Sequence, residues 1–203
     1  MTRRADDAKP VRGWPEYALS WNYQAGEEVL VAVATNCAKA EILVNGRTVG
    51  EYALADYMDK GYIEVAVPFE EGEIVARCTA ESGEVVATEL KTAYIASALD
   101  VTADAVLPKD AIAHVEVDVV DMNGNPVPDA AVMVNVKVEG EGVLAGVENG
   151  DLADNTDYSF PGRRTRNGKL LVYVRGTGKA GKAVVTLTPA GTLAPVTIEL
   201  DAE

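Results

Sequence analysis

Hydrophobic and polar residues alternate along most of this chain with a period of two, which is the side-chain period of a β-strand. The alternation is clearest at 113–121, where Ala and Val occupy every second position between polar side chains. No stretch shows the i, i+3, i+4, i+7 apolar stripe of an amphipathic helix. The pattern therefore predicts an all-β protein.

Two Asn-Gly pairs mark tight turns, one in each half of the chain. Asn45-Gly46 separates two alternating runs, and Asn123-Gly124 follows the run at 113–121. Both central residues of a type I′ turn need a positive φ, which Asn and Gly adopt more readily than other residues. Each half is therefore expected to contain strands joined by short connections.

The apolar runs form two groups of seven candidate strands. Those of the first group are 17–21, 28–34, 40–44, 47–52, 62–67, 74–80 and 84–90. Those of the second group are 99–103, 113–121, 131–138, 142–147, 170–174, 183–188 and 196–200. Short strands with turns about every 8–12 residues are typical of a sandwich. We predict two tandem immunoglobulin-like antiparallel β-sandwiches, a first module at 13–95 and a second at 96–203, after a polar lead-in at 1–12.

The charge balance narrows the range of partners. The chain has 18 Lys and Arg against 32 Asp and Glu, a formal net charge of −14. Phosphate binding needs concentrated Lys and Arg, so neither nucleic acid nor an anionic membrane is expected as a partner. No apolar run approaches the about 18 residues of a membrane span. The N-terminal residues lack the apolar core of a signal peptide, and the sequence leaves the compartment open.

Both cysteines, Cys37 and Cys78, fall in the first module. Their strand parities allow both thiols to face the same interior, so a bridge is sterically conceivable. Buried free cysteines also behave as small hydrophobic residues. Two buried free thiols are the favoured interpretation.

The sequence contains no motif that indicates a catalytic site or a zinc site. The single histidine, His114, lies inside an alternating strand, and no nucleophile motif accompanies it. One His and two dispersed Cys do not form a tetrahedral zinc set. We therefore expect no catalytic residue and no cofactor, and a structural role for His114.

One loop carries the side chains that calcium prefers. Its oxygen-bearing residues are Glu148, Asp151, Asp154, Asn155 and Asp157. Calcium takes six to eight oxygen ligands, but the spacing here does not match an EF-hand. The basic residues that follow, Arg163, Arg164 and Arg166, could neutralise the loop without an ion. No metal is expected.

Aromatic residues offer a second route to binding. Tyr52, Tyr57 and Tyr62 border one loop of the first module, and Trp14 lies near its entry. Sugar rings stack on such faces, which makes these four residues candidate carbohydrate contacts. The favoured interpretation of the aromatic pattern is a core edge or a domain interface.

Several segments together resemble a known family. Ser20-Trp21-Asn22-Tyr23, Thr35-Asn36-Cys37, Leu43-Val44-Asn45-Gly46 and Val67-Pro68-Phe69-Glu70-Glu71-Gly72 resemble the domain that follows the catalytic barrel in β-galactosidase-like enzymes of glycoside hydrolase family 2. Segments of the second module, 115–121, 123–124, 127–128 and 146–151, resemble the next domain of these enzymes. Ser20 stands where the family usually has a histidine.

The resemblance implies a non-catalytic C-terminal accessory region. The catalytic glutamates of the family lie on an (α/β)8 barrel, commonly with an Asn-Glu pair at the acid/base, and this chain has no Asn-Glu dipeptide. The implied partners are the catalytic domains of the parent chain, with self-association or a contribution to the substrate entrance as further roles. Two alternatives stay open at this point: a carbohydrate-binding module, and a segment of a bacterial surface adhesin or stalk.

Overall fold

A computed structural model describes residues 1–5, 17–109 and 111–203. Contacts within the chain divide it into unit 1, Met1–Thr92, and unit 2, Ala93–Glu203. The described residues form sixteen strands and one short 3-10 turn at Leu54–Asp56, with no α-helix among them. The all-β prediction is therefore confirmed. Trp14 and residues 6–12 of the expected lead-in lie outside the described residues.

Unit 1 is a sandwich of a three-stranded and a four-stranded antiparallel sheet. Its strands are β1 Thr2–Arg4, β2 Glu28–Ala34, β3 Lys39–Val44, β4 Arg47–Ala53, β5 Tyr62–Pro68, β6 Glu73–Thr79 and β7 Val85–Lys91. One sheet has the order β1-β2-β5 and the other β4-β3-β6-β7. Val29 and Val31 of the first sheet share a core with Ile42 and Ile74 of the second.

The Asn45-Gly46 pair forms the predicted turn between β3 and β4. Asn45 and Gly46 both have positive φ, at 48° and 76°. The side-chain Nδ2 of Asn45 also donates to the backbone carbonyl of Glu71 at 3.0 Å, and its Oδ1 accepts from the backbone amide of Glu73 at 2.9 Å. The turn therefore fixes the start of β6 as well as reversing the chain.

The strand expected at 17–21 is wrong, and the edge position beside β2 is taken by β1 instead. Only Ala18 of that segment forms a β-bridge, with Thr2. Thr2 is buried, and its hydroxyl donates to the carbonyl of Ser20. The Tyr23 hydroxyl in turn donates to the Thr2 hydroxyl at 2.7 Å. The alternation at 17–21 reflects a loop anchored by Trp21, which is fully buried and packs edge-on against Phe69 at 5.2 Å.

Cys37 and Cys78 form a disulfide, which overturns the expectation of two free thiols. Their Cα atoms are 5.9 Å apart, a separation typical of bridged pairs. The bridge joins the loop between β2 and β3 to strand β6. Strand parity placed both thiols towards the interior, but it could not give the distance between them.

Unit 2 is a larger sandwich of a four-stranded and a five-stranded sheet. Its strands are β8 Ala98–Ala103, β9 Val106–Leu107, β10 Ile112–Val120, β11 Met133–Gly140, β12 Gly142–Glu148, β13 Gly162–Arg164, β14 Lys169–Gly176, β15 Gly181–Pro189 and β16 Val196–Ala202. The sheets have the orders β12-β14-β10-β8 and β13-β11-β15-β16-β9. Among the described strands, β16 and β9 pair in parallel and the other pairs are antiparallel.

Strand β10 follows the predicted alternation closely. Ala113, Val115 and Val117 point into the core, where they meet residues of the opposite sheet such as Val185 and Leu187. The intervening positions of β10 face outward. The core of unit 2 is thus built almost entirely from aliphatic side chains.

A buried carboxylate closes the turn after β10. Asp121 is 2% exposed, and it accepts hydrogen bonds from the backbone amides of Tyr94 at 2.9 Å, Asn123 at 2.8 Å and Asn125 at 2.9 Å. Burial alone would raise the pKa of Asp121, but these amide donors outweigh it and hold the pKa below its usual value. Asp121 therefore ties the first residues of unit 2 to the Asn123-Gly124 turn.

We expect the disulfide to stabilise unit 1 by about 2–4 kcal/mol, because it closes a long loop in the unfolded chain. Replacing both Cys37 and Cys78 by Ser should lower the urea midpoint, followed by tryptophan fluorescence. Adding dithiothreitol should lower the midpoint of the natural protein equally and leave that of the double variant unchanged. A natural protein insensitive to the reductant would contradict the bridge.

Asp121→Asn should lower the free energy of unfolding at pH 7 by about 1–3 kcal/mol. The reason is that the neutral side chain of Asn is a weaker acceptor than a carboxylate for the buried backbone amides that donate to it. Since the folded-state pKa of Asp121 is lowered, its contribution is fully present above the unfolded pKa of about 3.9 and is lost as the pH falls through the folded value. Urea unfolding at pH 7 and at pH 3 should show the gap between the two proteins narrowing at acid pH. Asp129→Asn, at an exposed position, is the matched control.

Candidate functional site

The tyrosines named as candidate carbohydrate contacts are placed differently from one another. Tyr57 is 2% exposed, and its hydroxyl donates to the carbonyl of Cys37, so its ring faces lie within unit 1. Tyr52 is half-buried and folds over Gly50, where a Cβ would lie 2.8 Å from the Tyr52 ring. Tyr62 is half-buried at the start of β5. A sugar contact by Tyr52 or Tyr62 stays a prediction, and Trp14 lies outside the described residues.

The acidic loop of unit 2 is organised by its own backbone. Asp151, Asp154 and Asp157 each accept a hydrogen bond from the amide two residues further on, at 3.0, 2.9 and 2.8 Å. Such Asx turns are a common local use of aspartate. Hydrogen bonds from the hydroxyl and amide of Thr156, aided by the charge of Arg163, lower the pKa of Asp154.

The arginines that follow compensate the acidic loop. Arg163 is buried, with its Nε 3.6 Å from Asp154 Oδ2 and its guanidinium 4.7 Å from the centre of the Tyr158 ring. Arg166 lies 3.5 Å from Asp151 and donates to the carbonyl of Gly150 at 2.9 Å. Across the described ranges, no three His, Cys, Asp or Glu side chains are grouped so as to hold a metal ion. The acidic side chains of this loop serve its folding.

A different surface of unit 2 concentrates aromatic and acidic side chains: the outer face of the β12-β14-β10-β8 sheet. Pairing of β10 with β14 sets His114 opposite Tyr173, and their rings meet edge-on at 5.5 Å and 72°. Two pairs further along, on the same face, Glu116 lies opposite Leu171, and β12 places Glu148 on the other side of Leu171. These side chains come from three strands that are far apart in sequence.

A third ring joins this face through a bulge in β12. The pairing of β12 with β14 shifts register between Leu144 and Gly146. A Cβ on Gly146 would lie 3.5 Å from the Tyr173 ring and 3.9 Å from the Cβ of Tyr158. The Val147 amide donates to the carbonyl of Tyr158 at 2.8 Å, so the loop returns to the edge of β12 and sets Tyr158 beside Tyr173. We call His114, Glu116, Glu148, Tyr158 and Tyr173 the aromatic face.

A shallow depression of about 220 Å³ lies along the same strands, and none of the three rings lines it. It is lined by Glu116, Glu148 and Leu171, with Asn149 and Lys169 at its margin. Tyr158 is 57% exposed and Tyr173 is half-buried, so both rings reach solvent. Burial, followed by the nearby charge of Glu148, raises the pKa of Tyr173, so this phenol stays neutral.

His114 is held in place from one side. Its Nδ1 lies 3.3 Å from Asp104 Oδ2, and the same oxygen accepts the His114 backbone amide at 2.8 Å. The backbone amide of His114 does most to lower the pKa of Asp104; burial opposes it, and the side-chain hydrogen bond and charge of His114 add to the lowering. Sequence reasoning noted His114 but missed its neighbours, since only the strand register brings Tyr173 beside it.

No helix among the described residues has the length and apolar character needed to cross a membrane.

Two family models match this chain, one in each unit. Residues 26–87 match a domain of unknown function, DUF4982. Residues 100–199 match the glycoside hydrolase family 2 C-terminal domain 5. The two matches follow one another in the order in which the sandwiches occur.

Known proteins that resemble the chain are much longer than it. The β-galactosidase BoGH2A of Bacteroides ovatus is 35% identical over 190 residues, which are 90% of this chain and 22% of that protein. The structure of a glycosyl hydrolase family 2 member from Bacteroides cellulosilyticus superposes with a TM-score of 0.83 at 22% identity, covering 99% of this chain and 27% of that one. A β-glycosidase structure from Bacteroides vulgatus gives 0.80 at 24% identity, over 90% of this chain and 24% of that one. These two structures show the shared fold.

Fold and family models together define a pair of β-sandwiches, the second of which is a C-terminal domain of the kind found in glycoside hydrolase family 2. The chain belongs to the C-terminal region of the glycoside hydrolase family 2 proteins. The two-sandwich fold expected from the resemblance is confirmed. The chain spans about a fifth of the curated relative that it matches.

Proposed function

We propose that this chain is a non-catalytic brace for the catalytic domains of a β-galactosidase-like glycoside hydrolase. One observation carries the proposal: the described residues form β-sandwiches, the second of which matches a C-terminal domain model of family 2, while the matching β-galactosidase is several times longer. An (α/β)8 barrel needs eight helices, and the described residues contain no α-helix. The chemistry of the parent then belongs to another part of its chain.

An exposed apolar corner of unit 2 supports packing against another domain. Ile95 is 89% exposed, Met122 is 81% exposed and Tyr94 is 52% exposed. The hydrogen bond from the Tyr94 amide to Asp121 holds the two segments that carry them side by side. Grouped large apolar side chains on a surface are typical of interaction sites. This corner is the surface that we assign to the parent's catalytic domains.

Self-association and shaping of the substrate entrance are variants of the same proposal, because each uses the sandwiches as a packing surface. Carbohydrate binding by unit 1 is less well supported, since Tyr57 and Trp21 are buried. A role as a surface stalk has no observation in its favour, and the family assignment favours the brace.

We expect the purified chain to show no turnover of nitrophenyl β-galactoside above the buffer rate. The physical reason is that the described residues contain no α-helix and so no (α/β)8 barrel, on which this family is expected to carry its acid/base and nucleophile. BoGH2A, assayed in parallel, is the positive control. Turnover that follows the chain through size-exclusion chromatography would contradict the proposal.

Replacing the matched region of BoGH2A by this chain should restore stability that deletion of that region removes. We expect the deletion to lower the melting temperature and the soluble yield, because the packing surface of the barrel becomes exposed. The chimera should melt above the deleted enzyme in differential scanning fluorimetry. A deleted enzyme as stable as the intact one would argue against a brace.

Ile95→Lys combined with Met122→Lys should weaken the chimera without weakening the isolated chain. Both side chains are exposed in the chain, so substitution there should change its own stability within about 0.5 kcal/mol. In the chimera two charges would have to be desolvated, and the melting temperature should fall towards that of the deleted enzyme. Leu152→Lys, at a fully exposed position of unit 2, is the matched control and should leave both proteins unchanged.

A further inference from the structure

We propose that the aromatic face of unit 2 binds a neutral carbohydrate chain. The site consists of the edge-on ring pair of His114 and Tyr173, with Tyr158 held near Tyr173 at Gly146 and with Glu116 and Glu148 on the neighbouring strands. This is a function of unit 2 itself, separate from the bracing role, and either one can fail without the other.

The ring arrangement suits the flat faces of sugars. A pyranose presents C–H groups on one face and hydroxyls at its rim, so it packs its apolar face on an aromatic ring and keeps its hydroxyls hydrated. Tyrosine combines such a ring with a polar tip that tolerates water. The edge-on contact with His114 positions Tyr173, and a Cβ at Gly146 would be in van der Waals contact with both Tyr173 and Tyr158.

The depression lined by Glu116 and Glu148 offers hydrogen-bond acceptors for hydroxyl donors. Glu116 and Glu148 lie on strands to either side of β14, so their Cα atoms are two strand spacings, about 10 Å, apart. Ionised carboxylates accept hydroxyl protons strongly. The volume of about 220 Å³ lies below the about 300 Å³ of a drug-sized pocket, so it suits one sugar residue of a longer chain.

The charge of the face selects among sugars. Lys169 pairs with Asp118, whereas Glu116 and Glu148 form no ion pair with any described residue. Two uncompensated carboxylates repel uronates and sulfated sugars, so charge complementarity favours a neutral chain. The same charge disfavours an acidic peptide or an anionic membrane on this surface.

Affinity electrophoresis of the whole chain tests the proposal. The gels contain β-1,4-galactan, xyloglucan or glucomannan as neutral probes and polygalacturonate as the acidic probe. We expect retardation by at least one neutral probe and none by polygalacturonate. No retardation by any neutral probe, or stronger retardation by polygalacturonate, would overturn the proposal.

Matched variants locate the site. Tyr158→Ala and Tyr173→Ala should each weaken binding at least tenfold, whereas Tyr173→Phe, which keeps the ring, should bind as the natural chain does. Tyr158 is exposed in a loop, so its variant tests the site even if Tyr173→Ala fails to fold; circular dichroism checks both. Met58→Ala, at an exposed position of unit 1, is the control and should bind normally, while Tyr62→Ala probes the candidate contact in unit 1. Binding lost in Tyr62→Ala but kept in Tyr158→Ala would move the site to unit 1 and refute the assignment.

Discussion

The pleat of the β-strand is the constraint on which both sandwiches depend. Successive side chains leave a strand on opposite sides, so one strand of period two supplies a core residue and a surface residue in turn. Strand β10 shows the consequence: Val115 and Val117 fill the interior while His114 and Glu116 face solvent. A slip of one residue in its pairing would bury the polar set and expose the valines. The register that stabilises the core of unit 2 is therefore the same register that assembles its aromatic face.

Polar groups take over where alternation ends. At the end of β10 the buried Asp121 collects three backbone amides that would otherwise lack partners. At the edge of unit 1, the Thr2 and Tyr23 hydroxyls form hydrogen bonds that hold strand β1 against the loop at Ser20. These bonds fix the chain ends and turns that apolar packing alone leaves loose, because burying an unpaired amide would cost about 1–3 kcal/mol.

Local patterns predicted most of the fold and little of the site. Asn45-Gly46 predicts a hairpin and the alternating valines of β10 predict a strand, because each signal lies within a few neighbouring residues. Strand β1 could not be predicted, since Thr2-Arg3-Arg4 has no apolar period and is recruited by the open edge of β2. The disulfide and the pairing of His114 with Tyr173 depend on how segments far apart in sequence are brought together. The position of Tyr158 depends on one backbone hydrogen bond from Val147. None of these three contacts could be predicted, because the residues involved are far apart in sequence.

Strand β7 lies at the end of its sheet, and most of its residues are exposed. A strand in that position offers unpaired amides and carbonyls to any other extended chain, and Val85 and Val86 add an apolar surface of high β-propensity. The charged side chains at its far end, Glu89 and Lys91, lie 2.7 Å apart and stand where a further strand would dock. Charges on an edge strand discourage pairing with another chain, so Glu89 and Lys91 protect an edge that the core of unit 1 does not cover.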